Sequence, residues 1–219
     1  MKPLPPISDR ELDDLRAKLP MPLPPHVERL LRFCTGVDGT SAAETLDFTG
    51  RISFEFSDAF PRALPIAADG WGNFWLADLK ATSEDFGPIY FACHDAPIAL
   101  FQSPTLAEFL AELFKMDTPP HASLVDDVHE DRLYHVWAKQ PGLITHEEAL
   151  GSPDGEIRAF AASLGESYVI VDLRNAKPGQ GFAWGRYRGP VRRLGTEPVF
   201  ALEKKRSIFA RLLGRQKLR

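Results

Sequence analysis

The 219-residue sequence has only two cysteines, Cys34 and Cys93, too few for a disulfide framework or a cysteine-built zinc cage. No apolar run approaches the roughly 18–20 residues that a membrane-spanning helix needs. There is no H-E-x-x-H, C-x-x-C, nucleophile elbow, phosphate loop or dinucleotide fingerprint, and Gly179-Gln180-Gly181 is an isolated loop signal. No internal repeat or low-complexity tract is present. The opening MKPLPPISDRELDD turns acidic where a secretory signal would need an apolar stretch, so the expectation is a cytoplasmic protein. What is there is ordinary globular material: 44% hydrophobic and 26% charged residues exclude wholesale disorder.

The net charge of −4 hides a division. From Arg174 onward 13 Lys and Arg face only Glu197 and Glu203, a net +11, which leaves −15 for residues 1–173. An acidic body argues against nucleic acid as its partner and gives a polarised field that steers charged proteins. The basic end, with Lys204, Lys205, Arg206, Arg211 and Arg215 around the stripe Ile208, Phe209, Leu212 and Leu213, reads as an amphipathic tail over 202–219. Such a tail can reach an anionic partner, dock on the chain's own acidic body, or stay loose.

The local pattern predicts an α+β fold. Ser8-Asp9-Arg10-Glu11 is a capping box, followed by Leu12, Leu15 and Leu19 on one helical stripe. The proline run 20–25 breaks that helix, and a second runs from Pro25 to about Thr35, ended by Gly36 and Gly39. Period-2 alternation predicts strands over 50–56 and 72–79, and short apolar runs predict others over 64–67, 89–93 and 98–101. A helix opening at Ser103-Pro104 follows, with Leu106, Phe109, Leu110 and Leu113 inward. Linkers this short exclude parallel crossovers, so the sheet is an antiparallel meander with helices packed on it. A linker near 117–121 sets the expected domains at 1–118 and 119–219. The second is a smaller α+β unit with helices over 125–139 and 153–164, a strand over 168–173, and a hairpin of 181–187 with 191–194.

Residues 8–116 resemble the SMI1/KNR4 family, within the SUKH superfamily. The resemblance is carried by Leu23-Pro24-Pro25-His26-Val27-Glu28-Arg29-Leu30-Leu31, by Leu64-Pro65-Ile66-Ala67-Ala68-Asp69-Gly70-Trp71-Gly72-Asn73, and by Gly87-Pro88-Ile89-Tyr90, His94-Asp95 and the helix over 103–113. Trp71 departs from the family pattern, which has small or flexible residues at that turn. The resemblance implies a compact α+β domain with a twisted antiparallel sheet and no catalytic residue, metal or cofactor. It implies a bacterial immunity protein that neutralises a toxin by binding it, or else an intracellular regulatory or scaffold module. A fold alone does not choose between these.

Candidate partner-binding residues follow from the acidic turn and its aromatics: Asp69, Trp71, Trp75, Asp78, Glu84 and Asp85. Exposed aromatics anchor protein interfaces, and carboxylates around them favour a basic partner. The bland alternative is that Asp69-Gly70 and Gly72-Asn73 are turn chemistry and Trp75 a sheet-covering residue. Asp131 and His135, four apart, could share a helical face toward a metal, yet their spacing fits no standard cage. Cys93 and His94 alternate across a strand and cannot pair within it.

Overall fold

The computed structural model describes residues 2–38, 43, 45–54, 59–80 and 85–205. After β1 (Lys2–Pro3), helix α1 (Asp9–Lys18) begins at its capping box. Ser8 Oγ accepts the Glu11 amide at 3.3 Å, and the Glu11 carboxylate accepts the Ser8 amide at 3.0 Å. Helix α2 (Pro25–Phe33) follows, with proline in its first turn, where no intrahelical N–H is required. Gly36 does not cap α2. It lies in β2 (Gly36–Asp38), where a Cβ would meet the Leu46 carbonyl oxygen at 1.8 Å, so only glycine allows the strands to close.

Strand β3 (Thr45–Asp47) pairs with β4 (Ala63–Ala68) and takes the place beside it that the 50–56 alternation predicts for itself. Residues 50–54 keep the alternation of burial, Ile52 and Phe54 half-buried beside exposed Arg51 and Ser53, but make no ladder; residues 55 and 56 lie outside the described part. The meander continues through β5 (Asn73–Asp78), β6 (Ile89–Cys93) and β7 (Ile98–Ser103). Helix α3 (Leu106–Met116) starts two residues later than Pro104 suggests, because Thr105 Oγ1 accepts the Glu108 amide at 3.1 Å as N-cap.

The helical stretch predicted over 125–139 forms in three pieces: α4 (Leu124–Asp126), a π-helical turn (Asp127–Arg132) and α5 (Leu133–Lys139). Then come β8 (Leu143–Thr145), α6 (His146–Leu150), α7 (Gly155–Ala162), β9 (Tyr168–Asp172), β10 (Gly181–Phe182), β11 (Tyr187–Arg193) and β12 (Val199–Lys204). The predicted hairpin of 181–187 with 191–194 is not formed. β10 leaves to join β7, and β11 turns at 194–198 to pair with β12. Leu202–Lys204 is therefore strand rather than the start of a tail helix, and Arg206, Arg211 and Arg215 lie outside the described residues.

Eight strands form one antiparallel sheet in the order β1-β2-β3-β4-β5-β6-β7-β10, and four form a second, β11-β12-β9-β8. The period-2 pleat sorts their side chains into three cores. Trp75, Ala77, Phe91 and Leu100 face α1, α2 and α3 together with Val125, Val128 and Val136. Leu76, Tyr90, Ala92, Ala99 and Phe101 face Val169, Val171, Phe200 and Leu202 of the second sheet. That sheet's other face, Ile170, Val199 and Ala201, is covered by Ala149 of α6 and by Ile157, Phe160 and Ala161 of α7. The result is four layers, helix–sheet–sheet–helix. The first core takes in Val125, Val128, Val136 and Ala183 from beyond the expected linker near 118, and β10 joins the first sheet.

The two sheets are joined by a charge pair. Asp78, wholly buried, lies on the inner face of β5. The Arg193 guanidinium, at the end of β11, meets it with Nη1 at 2.9 Å and Nη2 at 2.5 Å. Arg193 also donates to the carbonyls of Glu197, Ala59 and Thr196, so every guanidinium nitrogen has an acceptor, and its plane lies 5.3 Å over the Phe200 ring. Removing one partner strands the other charge between the sheets. Arg193→Ala is expected to lower the unfolding free energy by about 3–5 kcal/mol in urea titrations, and a loss under about 1 kcal/mol would contradict this account of the pair.

Candidate functional site

The turn between β4 and β5 is built around one carboxylate. Asp69, 8% exposed, accepts the Trp71 amide at 2.8 Å and the Asn73 amide at 3.1 Å through Oδ1. Its Oδ2 accepts Asn73 Nδ2 at 2.5 Å and lies 3.1 Å from His129 Nε2. An aspartate that holds the backbone two residues on is ordinary turn chemistry. The histidine is not. It reaches Asp69 from the π-helical turn sixty residues away, with its ring against Phe91 (5.2 Å) and Trp75 (5.6 Å).

Gly70 and Gly72 have φ of 74° and 87°, the left-handed region. At Gly72 a Cβ would meet the His94 ring at 2.0 Å, where His94 Nδ1 donates to the Gly72 carbonyl at 2.7 Å. This ties the β4–β5 turn to the β6–β7 turn. Cys93 reinforces the latter by accepting the Ala96 amide at 3.4 Å, and burial pushes its thiol pKa up, which keeps it neutral rather than nucleophilic.

Trp71 stands at the tip of this braced turn, 83% exposed, the most exposed of the large hydrophobic side chains described. The two histidines that brace the turn also meet carboxylates: Asp95 lies 3.0 Å from His94 Nε2, and Glu130 lies 3.4 Å from His129 Nδ1. Asp69 and Trp71 are thus brought together, one as brace and one as projecting ring.

The other expected members do not join them. Trp75 is fully buried against Phe91 and Phe109, its indole N–H donating to Gln102 Oε1 at 3.3 Å, and it is corrected from surface anchor to core. Asp78 is likewise corrected: it faces the second sheet and holds Arg193. Both corrections have one cause, a sheet covered on its two faces. Asp85 is half-buried, accepts its neighbour Phe86's amide and sits 3.8 Å from His26, on the side of α2. Glu84 lies outside the described residues.

Elsewhere, the basic–aromatic sequence 184–193 is largely taken up internally. Arg186 lies 4.9 Å over Trp137, Tyr187 Oη donates to Gln140 at 2.6 Å, and Arg193 is buried. Lys204 ends β12, and Lys205 Nζ donates to the Gly185 carbonyl at 3.0 Å. Among the described residues no group of three or more His, Cys, Asp or Glu could hold a metal ion, and no helix is long and apolar enough to cross a membrane. A second exposed apolar feature, a groove of about 250 Å³, lies between α2 and α3, where Phe33 (73% exposed) and Phe114 (47%) border Leu30, Val37 and Leu110.

Residues 6–112, which take in β4, the Asp69–Asn73 turn and the first part of α3, match the family model of SMI1 / KNR4 (SUKH-1). The segment is similar to the SMI1/KNR4 family over just under half of the chain. Neither the curated proteins nor the solved structures contain a match to it. The Trp71 turn lies inside the matched segment, whereas its brace His129 and the clamp residue Arg193 lie beyond residue 112. His129 could have been found in the sequence. Val125 and Val128 mark the inward stripe of that helix, and His129 is next to it.

The turn separates stability from surface. Asp69→Ala leaves several donors of the turn unpaired and is expected to cost about 2–3 kcal/mol of unfolding free energy. Trp71→Ala is expected to change it by no more than about 0.5 kcal/mol, because the ring contributes little to the core. Urea unfolding of both variants checks this, and a large loss in the tryptophan variant would show that the ring is structural.

Proposed function

We propose that this protein is a non-enzymatic, cytoplasmic bacterial immunity protein that neutralises a cognate toxin by direct binding, with Trp71 at the centre of the contact. The observation that carries the reading is the 83% exposure of Trp71 on a turn fixed by Asp69, His129 and His94. A tryptophan held out of the core costs favourable burial, and no described hydrogen bond or ring stacking of the fold involves its side chain. Tryptophan is enriched among residues that dominate binding energy, and a pre-braced turn loses little further freedom on association. The SMI1/KNR4 similarity supports a protein partner, and the family's immunity branch supports a toxin as that partner.

Charge complements the aromatic anchor. Asp95 and Glu130 pair with the two histidines that brace the turn, and residues 1–173 carry a net charge of −15. A basic toxin domain is therefore attracted from a distance and meets a ring that it can bury. The charges set the encounter rate and its salt dependence, while the ring sets how long the complex lasts.

Affinity capture from lysate of the source cells, washed at low and high salt, tests the reading. The expected result is one stoichiometric protein that survives high salt, is lethal when expressed alone and is harmless when co-expressed with this chain. Trp71→Ala should weaken that complex by about 2 kcal/mol or more, roughly thirtyfold, in calorimetric titration, while Phe33→Ser in the distant groove leaves it unchanged. A partner whose toxicity survives complex formation would overturn the immunity reading. A complex sensitive to Phe33 and indifferent to Trp71 would move the contact elsewhere.

A further inference from the structure

Helices α2 and α3 both end on an exposed phenylalanine, with an apolar recess between them. Phe33 is the last residue of α2, Phe114 lies in the last turn of α3, and both rings face solvent. Leu30, Val37, Phe48 and Leu110 line the groove between the rings, and no charged residue lines it. On α3 the exposed Ala107 and Ala111 recur at helical spacing with Phe114, so the ring stands beside a low surface that another helix can approach closely. Contiguous exposed apolar surface of this kind marks contact with another molecule.

Charge decides which molecule. Arg32, next to Phe33, pairs with Asp9 at 3.0 Å and with Glu28 at 3.1 Å, and Lys115, next to Phe114, pairs with Glu112. The cations beside both rings are thus neutralised within the chain. A partner of strong opposite charge finds little there to recognise, whereas a two-fold contact needs a face that does not repel itself. That requirement is strict in a chain whose residues 1–173 carry a net charge of −15. Shape agrees with charge. A projecting ring and a recess for it lie side by side on one face, so a two-fold axis can seat each copy's ring in the other's groove, and the contact closes on itself. We propose that this protein forms a symmetric dimer through the α2–α3 face, with Phe33 of each copy entering the groove of the other. The patch is small beside a permanent dimer interface, so the association is weak and concentration-dependent. Trp71 does not line this groove, and the dimer does not rest on the reading of that turn.

Sedimentation equilibrium of the full chain, loaded from about 5 to about 500 µM, tests the proposal. The expected result is a reversible monomer–dimer equilibrium that does not weaken between low salt and about 0.5 M salt, because its contacts are apolar. Phe33→Ser and Phe114→Ser, both at exposed rings, are each expected to raise the dissociation constant about tenfold or more, while Trp71→Ala leaves it unchanged. Near-UV circular dichroism checks that the variants keep the fold. In the unsubstituted chain the amide shifts of Leu30, Phe33 and Leu110 are expected to move with protein concentration. A chain that stays monomeric up to about 500 µM would overturn the proposal, and so would a dimer indifferent to both phenylalanine substitutions or dissolved by salt. Binding of a different protein at Phe33 by a chain that remains monomeric would also overturn it, in favour of a heterologous partner.

Discussion

Over β4 to β7 and β10 the large sheet of this molecule has neither face turned to water, and most of its structure answers to that constraint. An eight-stranded antiparallel sheet with apolar side chains on both sides must be covered twice. The SMI1/KNR4 segment supplies α1, α2 and α3 for one side, joined by α4 and α5 from beyond its end. The other side carries Leu76, Tyr90, Ala92, Ala99 and Phe101, which is covered by the second sheet. Asp78 shows how strictly the layers are matched. A carboxylate at the interface of two sheets is tolerated because Arg193 arrives with a full set of acceptors for its own donors.

The same constraint decides where function can lie. With the broad sheet faces consumed by packing, recognition is left to turns, helix surfaces and edges. Of these, the β4–β5 turn combines rigidity with an exposed aromatic. Asp69 saturates its acceptor capacity inside the turn, His129 closes it from the helix layer, and Gly72 lets His94 approach. The Trp71 ring projects from that bracing, and only its backbone amide takes part in it. Its departure from the small residues of the family pattern has no counterpart in the packing.

Much of this was legible in the sequence, and the misses share physical causes. The Ser8 capping box, the meander from 63 to 103 and the buried strand Tyr168–Asp172 follow from local chemistry and periodicity, and all three are present. The three-residue strands β2 and β3 carry too few residues for a pattern, so the stronger alternation at 50–56 predicts a strand whose place beside β4 is already taken. Periodicity gives the two faces of a strand but not what covers them. The pattern alone therefore suggests a surface place for Trp75 and Asp78, whereas packing of the second sheet, through Arg193 more than a hundred positions away, buries the latter. For the site, Asp69 and Trp71 could be read from turn chemistry and composition, whereas the brace from His129 is a tertiary contact visible only as a histidine next to an apolar stripe.

The central claim is that the C-terminal half is a structural layer of the SMI1/KNR4 sheet and not an appended unit. Expression of residues 1–118 alone tests it most directly, read by amide shift dispersion, dye binding to exposed apolar surface and urea unfolding. The account predicts a fragment that binds dye and unfolds without a cooperative transition. The cut uncovers Leu76, Tyr90, Phe101 and their neighbours and removes Val125, Val128 and Val136, each large side chain worth about 1.5–3 kcal/mol of burial. A monomeric fragment with dispersed shifts and a sharp unfolding transition would contradict it.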